Sequence, residues 1–252
     1  MRIALLGLGE AGGSFARDLR AAGADVRGYD PLPETGPDAA TAAEAADGAD
    51  LVLSANSAAD AMDAARSVLE VLAPGRVFAD VNTAAPALKR ELAGVVAPTG
   101  AAFADVALMS PVPGNGIRTP ALASGPGAER FAALVERFGM PVQLVGREPG
   151  AAAQRKLLRS VMWKGLAAVI IEATAAGEAL GEPEWMRSEI LSVLREADEA
   201  LVERMLTGSR THARRRVHEM EAVGELLRSV GVQPWMSDGS AAWLRALRDG
   251  EA

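Results

Sequence analysis

Lysine is scarce in this sequence, and its placement points to proton transfer. Only three of the 26 basic residues are lysines, and two of them, Lys156 and Lys164, lie eight residues apart with Ser160 midway between them. On a helix this spacing puts the three side chains on roughly one face. An arginine stays charged, whereas a desolvated lysine can lose its proton near neutral pH. We therefore predict Lys156, Ser160 and Lys164 as catalytic residues; the alternative, lysines that extend along the surface into solvent, fits Lys89 well.

A glycine-rich segment near residue 7 matches a nucleotide-binding pattern. Gly7, Gly9 and Gly12 form G-x-G-x-x-G between an apolar strand and a helix, and a second strand ends at Asp30. In such a βαβ unit the glycines permit a tight turn, the approach of a pyrophosphate and close packing of helix on strand. The helix N-terminus offers N–H groups to the phosphates. The pattern predicts a dinucleotide site whose loop consists of Gly7, Leu8, Gly9, Glu10, Ala11 and Gly12.

Asp30 indicates which dinucleotide this loop would bind. At the end of the second strand, a carboxylate can accept hydrogen bonds from the adenosine ribose hydroxyls and repels a 2′-phosphate. No lysine or arginine occurs between Gly28 and Ala65, while Glu34 and Asp38 add negative charge. We therefore predict NAD, with NADP as the other possibility. The alternative role for Asp30 is to cap the turn before the following proline.

Small polar residues follow three later strands of the predicted sheet. In a doubly wound sheet the ligand lies beyond the carboxyl ends of the strands, where these loops emerge. We predict that two of the loops contact the cofactor and that a third contacts the substrate. The alternative is that the serine, asparagine and threonine residues are helix N-caps. The predicted cofactor contacts are Ser54, Ala55, Asn56, Asn82 and Thr83, and the predicted substrate contacts are Met109 and Ser110.

The hydrophobic pattern changes along the chain and predicts two domains. Residues 1 to about 145 alternate strands with helices, which indicates a parallel sheet covered on both faces. After Gly150 only helical periodicity is evident. The fold class is therefore α/β, a Rossmann-type doubly wound parallel sheet (residues 1–148) followed by an all-α domain (residues 149–252). The predicted strands are 2–6, 25–29, 51–55, 77–81, 102–108, 121–124 and 141–144; the predicted C-terminal helices are 151–179, 184–207, 211–230 and 237–249.

Composition excludes several classes of function. The chain has no cysteine, which excludes disulfides and thiolate metal sites, and its two histidines, six residues apart, would point to different faces of a helix. We expect no metal site. The net charge of −7 argues against nonspecific nucleic-acid binding. No apolar run is long enough to span a membrane and no signal peptide is evident, so we expect a soluble, cytoplasmic protein.

Four segments resemble the β-hydroxyacid dehydrogenase superfamily, which includes 3-hydroxyisobutyrate and 6-phosphogluconate dehydrogenases. They are residues 7–12, 80–86, 103–107 and 150–156, and the likeness covers most of the chain. The similarity is greatest to a bacterial group with a short helical C-terminal domain. It implies that Lys156 is the general acid/base in hydride transfer between a substrate carbon and nicotinamide.

The sequence departs from the pattern of that family at the expected substrate contacts. Ser160 stands where family members usually carry asparagine, and Met109 stands where they carry serine, with Ser110 one place later. The substrate of the better-known members should therefore not be carried over, and Lys164 could share the proton transfer. Arg118 and Arg214 could bind a substrate carboxylate or phosphate, unless they belong to solvated faces or salt bridges.

The sequence as a whole predicts an NAD-dependent oxidoreductase acting on a small anionic hydroxyacid or oxo-acid. Two alternatives stay open: an imine reductase on the same scaffold, for which Lys156 would not be needed to deprotonate a hydroxyl, and a non-catalytic NAD(H)-binding protein. The C-terminal helices are expected to form a homodimer. The four tryptophans, Trp163, Trp185, Trp235 and Trp243, are predicted to lie in the core or in the subunit interface.

Overall fold

A computed structural model describes residues 1–251 and contains a seven-stranded sheet in its first part. Each predicted strand is present, and no strand end differs by more than one residue, because buried strands read as short, continuous apolar runs. The sheet order is β2-β1-β3-β4-β5-β6-β7. The strands are β1 (Arg2–Leu6), β2 (Asp25–Tyr29), β3 (Leu51–Ser54), β4 (Val77–Asp80), β5 (Ala102–Leu108), β6 (Ala121–Ser124) and β7 (Val142–Leu144).

The sheet departs from the predicted parallel arrangement at one strand pair. β1 to β5 are parallel, but β6 runs antiparallel to β5 and pairs Ala121 with Leu108 and Ser124 with Asp105. The chain between the two strands reverses through a short 3₁₀ turn instead of a crossover helix, so the return strand is antiparallel. This reversal places Ser124 directly opposite Asp105, which matters for the site.

Helices cover both faces of the sheet, as the doubly wound class requires. Side chains of β1 alternate between the two cores: Ile3 and Leu5 face one cluster with Phe15, while Ala4 and Leu6 face the other with Leu92. The helices are α1 (Glu10–Ala21), α2 (Ala42–Ala46), α3 (Ala61–Arg66), α4 (Pro86–Val96) and α5 (Ala128–Glu136). The first and last of these pack on one face, and the other three pack on the opposite face.

The long helix α6 (Ala151–Ala179) has the predicted bounds. By spatial proximity, the chain divides into two compact units inside this helix: the first is Met1–Arg159, and the second begins at Ser160. The loss of strand-like patterns after Gly150 therefore marks the start of the helical region, whereas the two compact units divide between Arg159 and Ser160. The domain boundary between residues 148 and 149 stays a prediction.

Four further helices follow in the second unit, one more than predicted, because one predicted helix is divided into two. The predicted helix over residues 184–207 is wrong, because the Asp198 side chain accepts a hydrogen bond from the Leu201 amide and starts a new helix. Glu172 of α6 caps the last helix by accepting from the Met236 and Ser237 amides. The four are α7 (Pro183–Arg195), α8 (Glu199–Thr211), α9 (Ala213–Ser229) and α10 (Trp235–Asp249).

The helices of the second unit expose much apolar surface. Every residue of α7 and α8 is at least partly exposed. All four tryptophans are more than half exposed, so their prediction as core residues is wrong, while their place in a subunit interface stays a prediction. Apolar side chains of α6 are also exposed, with Val161 at 73%. Across residues 1–251, no helix is both long and apolar enough to cross a membrane.

Candidate functional site

The glycine-rich loop has the geometry that its sequence predicts. Gly7 has a φ of +98°, a conformation that favours glycine. A Cβ added to Gly12 would lie 1.9 Å from the Gly7 carbonyl oxygen, so only glycine permits this approach of α1 to the loop. A Cβ at Gly9 would meet no atom within 4 Å, so the space beside its backbone is open to a ligand. A different geometric requirement therefore explains the glycine at each of the three positions.

A cavity of about 700 Å³ opens above this loop. The start of α1 forms part of its wall, and within the described residues no side chain caps this helix at Gly9. First-turn N–H groups and an open glycine backbone suit a pyrophosphate, so the residues present fit a dinucleotide. Seven predicted cofactor contacts line the cavity: Gly7, Gly9, Glu10, Ala11, Asp30, Ala55 and Asn56. Leu8 and Gly12 shape the loop but do not line the cavity.

Asp30 combines the two roles considered for it. One carboxylate oxygen accepts from the Leu8 amide at 2.7 Å and the other accepts from the Leu32 amide at 2.9 Å, so Asp30 caps the turn and fixes the glycine loop. It also lines the cavity, and each carboxylate oxygen can accept more than one hydrogen bond. Asp38 instead accepts from the Gly28 amide and pairs with Arg20, so its charge is compensated.

The cavity wall is acidic. Asp60 and Asp63 join Asp30 and Glu10 among its lining residues, and none of the described residues that line it is basic. A wall of carboxylates accepts hydrogen bonds from ribose hydroxyls and repels an additional phosphate.

Ser54 and Asn82 hold the strand-end loops together below the surface. Asn82 Nδ2 donates to Asp80 Oδ1 at 2.5 Å and to Asn56 Oδ1 at 2.6 Å, and it lies 3.3 Å from Ser54 Oγ. Ser54 and Asn82 are both buried, whereas Asn56 reaches the cavity wall. Ser54 and Asn82 therefore connect β3 to β4, and direct contact of either with a cofactor stays a prediction.

The reading of Lys89 as a surface lysine is wrong, because its side chain is fully buried. Lys89 Nζ donates to Asp80 Oδ2 at 2.5 Å and to the Asp80 carbonyl at 2.9 Å, and it lies 3.3 Å from Asp105 Oδ1. Burial raises the pKa of Asp80, and the Lys89 charge opposes this rise. Sequence carried a signal for this cluster: a carboxylate inside a buried apolar strand requires a cationic partner.

Asp105 and Ser124 cap the start of α6. Asp105 Oδ2 accepts from the Gly150 amide at 3.1 Å, from the Ala153 amide at 3.0 Å and from Ser124 Oγ at 3.0 Å. Ser124 Oγ in turn accepts from the Ala152 amide at 3.0 Å. The first turn of α6, whose amides would otherwise be unsatisfied, is thereby fixed to the centre of the sheet.

Lys156 reaches the end of β4 from the second turn of α6. Its Nζ donates to Thr83 Oγ1 at 2.8 Å, and the side chain is half-buried. The structure therefore brings Lys156 and Thr83 together at the carboxyl edge of the sheet. Ser160 and Lys164 lie further along α6, in the second unit, where Ser160 is half-buried and Lys164 is exposed.

Met109 contacts an arginine that sequence reasoning missed. Arg159 Nη1 donates to the Met109 carbonyl at 2.7 Å, and Met109 and Ser110 are both half-buried. Arg159 follows Lys156 by three residues on α6, so the two side chains lie on neighbouring parts of the helix surface. The spacing from Lys156 was a signal that could have identified Arg159.

The two arginines predicted to bind an anion are exposed and lie in different units. Arg118 ends a 3₁₀ turn, Gly116–Arg118, that Asp18 of α1 holds by accepting from the Ile117 amide at 2.9 Å. Arg214 lies on α9 of the second unit. The salt-bridge alternative is confirmed for a neighbour, because Arg215 pairs with Glu219.

Two family models match separate parts of the chain. Residues 2–119 match the NAD binding domain of 6-phosphogluconate dehydrogenase, and residues 177–247 match a domain of unknown function, DUF1932. A conserved protein of unknown function, described as structurally similar to 3-hydroxyacid dehydrogenases, aligns over 100% of both chains at 27% identity and a TM-score of 0.64. The chain belongs to the β-hydroxyacid dehydrogenase superfamily.

Two other solved structures extend this comparison. A conserved hypothetical protein from Sinorhizobium meliloti is 31% identical, with 98% of this chain and 88% of that chain covered and a TM-score of 0.64. An imine reductase from Streptomyces aurantiacus has a TM-score of 0.81 at 21% identity, covering 100% of this chain and 96% of that chain. At this identity the imine reductase shares the fold alone. The match to the NAD binding domain of 6-phosphogluconate dehydrogenase assigns the chain to an oxidoreductase family with a nucleotide-binding domain.

Proposed function

We propose that the protein is an NAD-dependent oxidoreductase that transfers a hydride between nicotinamide and a small anionic hydroxyacid or the corresponding oxo-acid. The observation that carries this proposal is the 2.8 Å hydrogen bond from Lys156 Nζ to Thr83 Oγ1. It holds an amine at the carboxyl edge of the sheet, in the same compact unit as the acidic cavity and its glycine loop.

Lys156 is the proposed general acid/base. The bound dinucleotide would accept the hydride from the hydroxyl-bearing carbon, or return it in the reverse direction. In oxidation, neutral Lys156 takes the hydroxyl proton while that carbon loses its hydride, and in reduction the ammonium returns the proton to the oxygen. Thr83 orients Nζ through its hydroxyl. Ser160 and Lys164 remain candidates for assisting this proton transfer.

The acidic wall supports NAD as the preferred cofactor. Asp30 has acceptor capacity beyond its bonds to the Leu8 and Leu32 amides, and neither Asp60 nor Asp63 would tolerate a 2′-phosphate nearby. NADP binding would require a cation that the cavity wall lacks among the described residues.

Arginines support an anionic substrate. Arg159 lies one turn beyond Lys156, next to the predicted substrate contact Met109, and a guanidinium binds carboxylates and phosphates through forked donors. Met109 and Ser110 are retained as proposed substrate contacts, and Arg118 and Arg214 as further candidate anion contacts. The arginines that bind the carboxylate or phosphate would define the substrate class, because their charged donors require an anionic partner once water leaves the site.

The exposed helices support a homodimer. Many apolar residues of α6, α7 and α8 are exposed, and soluble monomers rarely expose large contiguous apolar patches. A second copy of the chain is the proposed cover, bound through the C-terminal helices. Sedimentation at several concentrations tests this, and a monomer at every concentration would contradict it.

The experiment that tests the reaction is a screen of small hydroxyacids and oxo-acids with NAD(H) and NADP(H), followed by absorbance of the reduced nicotinamide. Lys156→Ala is the test variant, and Arg155→Ala is its control, because Arg155 is an exposed basic residue of the same helix with no proposed role in the reaction. We expect turnover of an anionic hydroxyacid with NAD, lost in Lys156→Ala. Tight NADH binding without turnover of any compound would favour a non-catalytic binding protein.

Imine reduction is the second candidate, favoured by the full-length fold match to an imine reductase. The same screen should therefore include cyclic imines. Turnover of an imine that Lys156→Ala retains in full, with no turnover of hydroxyacids, would overturn the hydroxyacid proposal in favour of this one.

A further inference from the structure

We propose that Lys89 and Asp105 are positioning residues that set the place of Lys156. This inference rests on the proposed function, because it concerns the same proton-transferring amine. Lys89 on α4 and Asp105 on β5 are fully buried, and neither lines the cavity, so they act through other groups instead of touching a ligand.

The argument begins with the Lys89 ammonium, which joins two strands. It donates to the Asp80 carboxylate and carbonyl on β4 and lies 3.3 Å from Asp105 Oδ1 on β5. Within residues 1–251, Asp105 Oδ1 has no hydrogen-bond partner, so the nearby ammonium is what compensates its charge. Removing Lys89 would leave two buried carboxylates close together, which is strongly unfavourable.

From Asp80 the connection runs to the partner of Lys156. Asp80 Oδ1 accepts from Asn82 Nδ2 at 2.5 Å, and Thr83 follows Asn82 directly in the chain. The buried Asn82 side chain fixes the start of this loop, and the next residue provides the hydroxyl that accepts from Lys156 Nζ. The position of Thr83 therefore depends on the Asp80 carboxylate.

From Asp105 the connection runs to the helix that carries Lys156. Asp105 Oδ2 accepts from the Gly150 and Ala153 amides, and Ser124 accepts from the Ala152 amide. These bonds set the height and rotation of the first turn of α6, from which Lys156 projects one turn later. The Lys156 amine is thus connected to Lys89 through Asp105, and its acceptor, the Thr83 hydroxyl, is connected to Lys89 through Asp80. The hydrogen bond between Lys156 and Thr83 closes this buried ring of contacts.

The test compares two helix caps of the same kind. Asp105→Asn keeps an acceptor for the amides of α6 but removes the charge that pairs with Lys89. Glu172→Gln is the matched control, because Glu172 caps α10 with bonds to the Met236 amide and to the Ser237 amide and hydroxyl. If Asp105→Asn does not fold, Ser124→Ala replaces it, since it removes the Ala152 bond while the carboxylate stays.

Two readouts separate positioning from structural support. With only three lysines in the chain, ¹⁵N-lysine labelling gives a small, assignable set of Nζ signals, and the Lys156 signal reports its surroundings whatever reaction is catalysed. We expect Asp105→Asn to shift the Lys156 signal and leave that of exposed Lys164 unchanged. We also expect kcat to fall by roughly tenfold or more with little change in NADH affinity, because small misplacements of a reacting group are costly.

The outcomes are distinct. The inference is overturned if folded Asp105→Asn, or Ser124→Ala in its place, has the wild-type Lys156 signal and kcat, or if Glu172→Gln shifts both equally. If Lys156→Ala keeps full turnover, the proposed catalytic role fails. The NMR comparison then still decides whether the buried ring positions this side chain.

Discussion

The two compact units of this protein differ in how far they bury and pair their own side chains. In the first unit, fully buried Lys89 finds its charge partners, Asp80 and Asp105, inside the same fold. In the second unit, α7 and α8 bury no residue, and Trp185 is more than half exposed. The first unit contains the charge partners of its buried lysine, whereas the second exposes apolar side chains, which we propose a second copy of the chain covers. Stability and assembly should therefore respond to mutations in different units.

Lys89→Met should produce the largest loss of stability. Breaking a buried ion pair by removing one partner leaves uncompensated charge, so we expect the free energy of unfolding to fall by about 3–5 kcal/mol. Urea unfolding of Lys89→Met and of the exposed control Lys164→Met measures this. Similar midpoints for the two variants would mean that the buried pair contributes no more than a surface lysine.

Gly12→Ala should weaken the cofactor site of the first unit. The new Cβ would collide with the Gly7 carbonyl oxygen and push α1 away from the loop. We expect at least about tenfold weaker NADH binding, which is about 1.4 kcal/mol. Calorimetry measures the affinity, with Gly94→Ala on α4 as control, because a Cβ there meets no atom within 4 Å. Unchanged affinity in Gly12→Ala would show that the loop does not hold the dinucleotide.

Val161→Glu should separate assembly from folding in the second unit. Val161 is exposed in the chain, so we expect unfolding of the monomer to change by no more than about 0.5 kcal/mol, as at other surface sites. A charge on the α6 face should weaken self-association by about tenfold or more, since like charges meet across a symmetric interface. Sedimentation velocity compares this variant with Glu225→Gln on α9. If both variants associate equally, α6 does not contribute to the interface.

The smallest expected effect is a change in pH dependence from Asp80→Asn. Burial raises the pKa of Asp80 in the folded state, so the folded protein binds more protons than the unfolded chain above the ordinary value of 3.8. The wild type should therefore lose stability relative to Asp80→Asn as the pH rises from that value towards the raised one. Urea midpoints across this range measure the difference. A difference that is constant with pH, or of opposite sign, would contradict the raised pKa.

Local patterns predicted the sheet and the glycine loop, but pairings between distant residues were missed. Continuous apolar runs locate buried strands, and Gly7, Gly9 and Gly12 have requirements that are local to one turn. The burial of Lys89, which lies on α4, depends on Asp105, which lies on β5 and is distant in the sequence. A carboxylate in a buried strand indicates that a cationic partner exists, but a local pattern does not identify which residue it is, so Lys89 resembled any helical surface lysine.

The same limit explains the other differences. The antiparallel direction of β6 follows from how the chain between it and β5 turns, and its apolar residues fit either direction. The new helix at Asp198 could have been predicted, because aspartate is a strong N-cap, but the helical periodicity on both sides concealed it. The spacing of Arg159 from Lys156 indicates a neighbouring place on the helix, but its contact with the Met109 carbonyl depends on backbone geometry, which the spacing does not give.

The central claim is that the amine of Lys156 carries the proton in hydride transfer. The most direct test is single-turnover reduction of NAD by Lys156→Ala, with the substrate found in the screen, in the absence and presence of small primary amines. The account predicts that the variant binds NAD normally, that hydride transfer nearly stops, and that added amines restore part of the rate. A wild-type rate of hydride transfer in Lys156→Ala without any amine would contradict it.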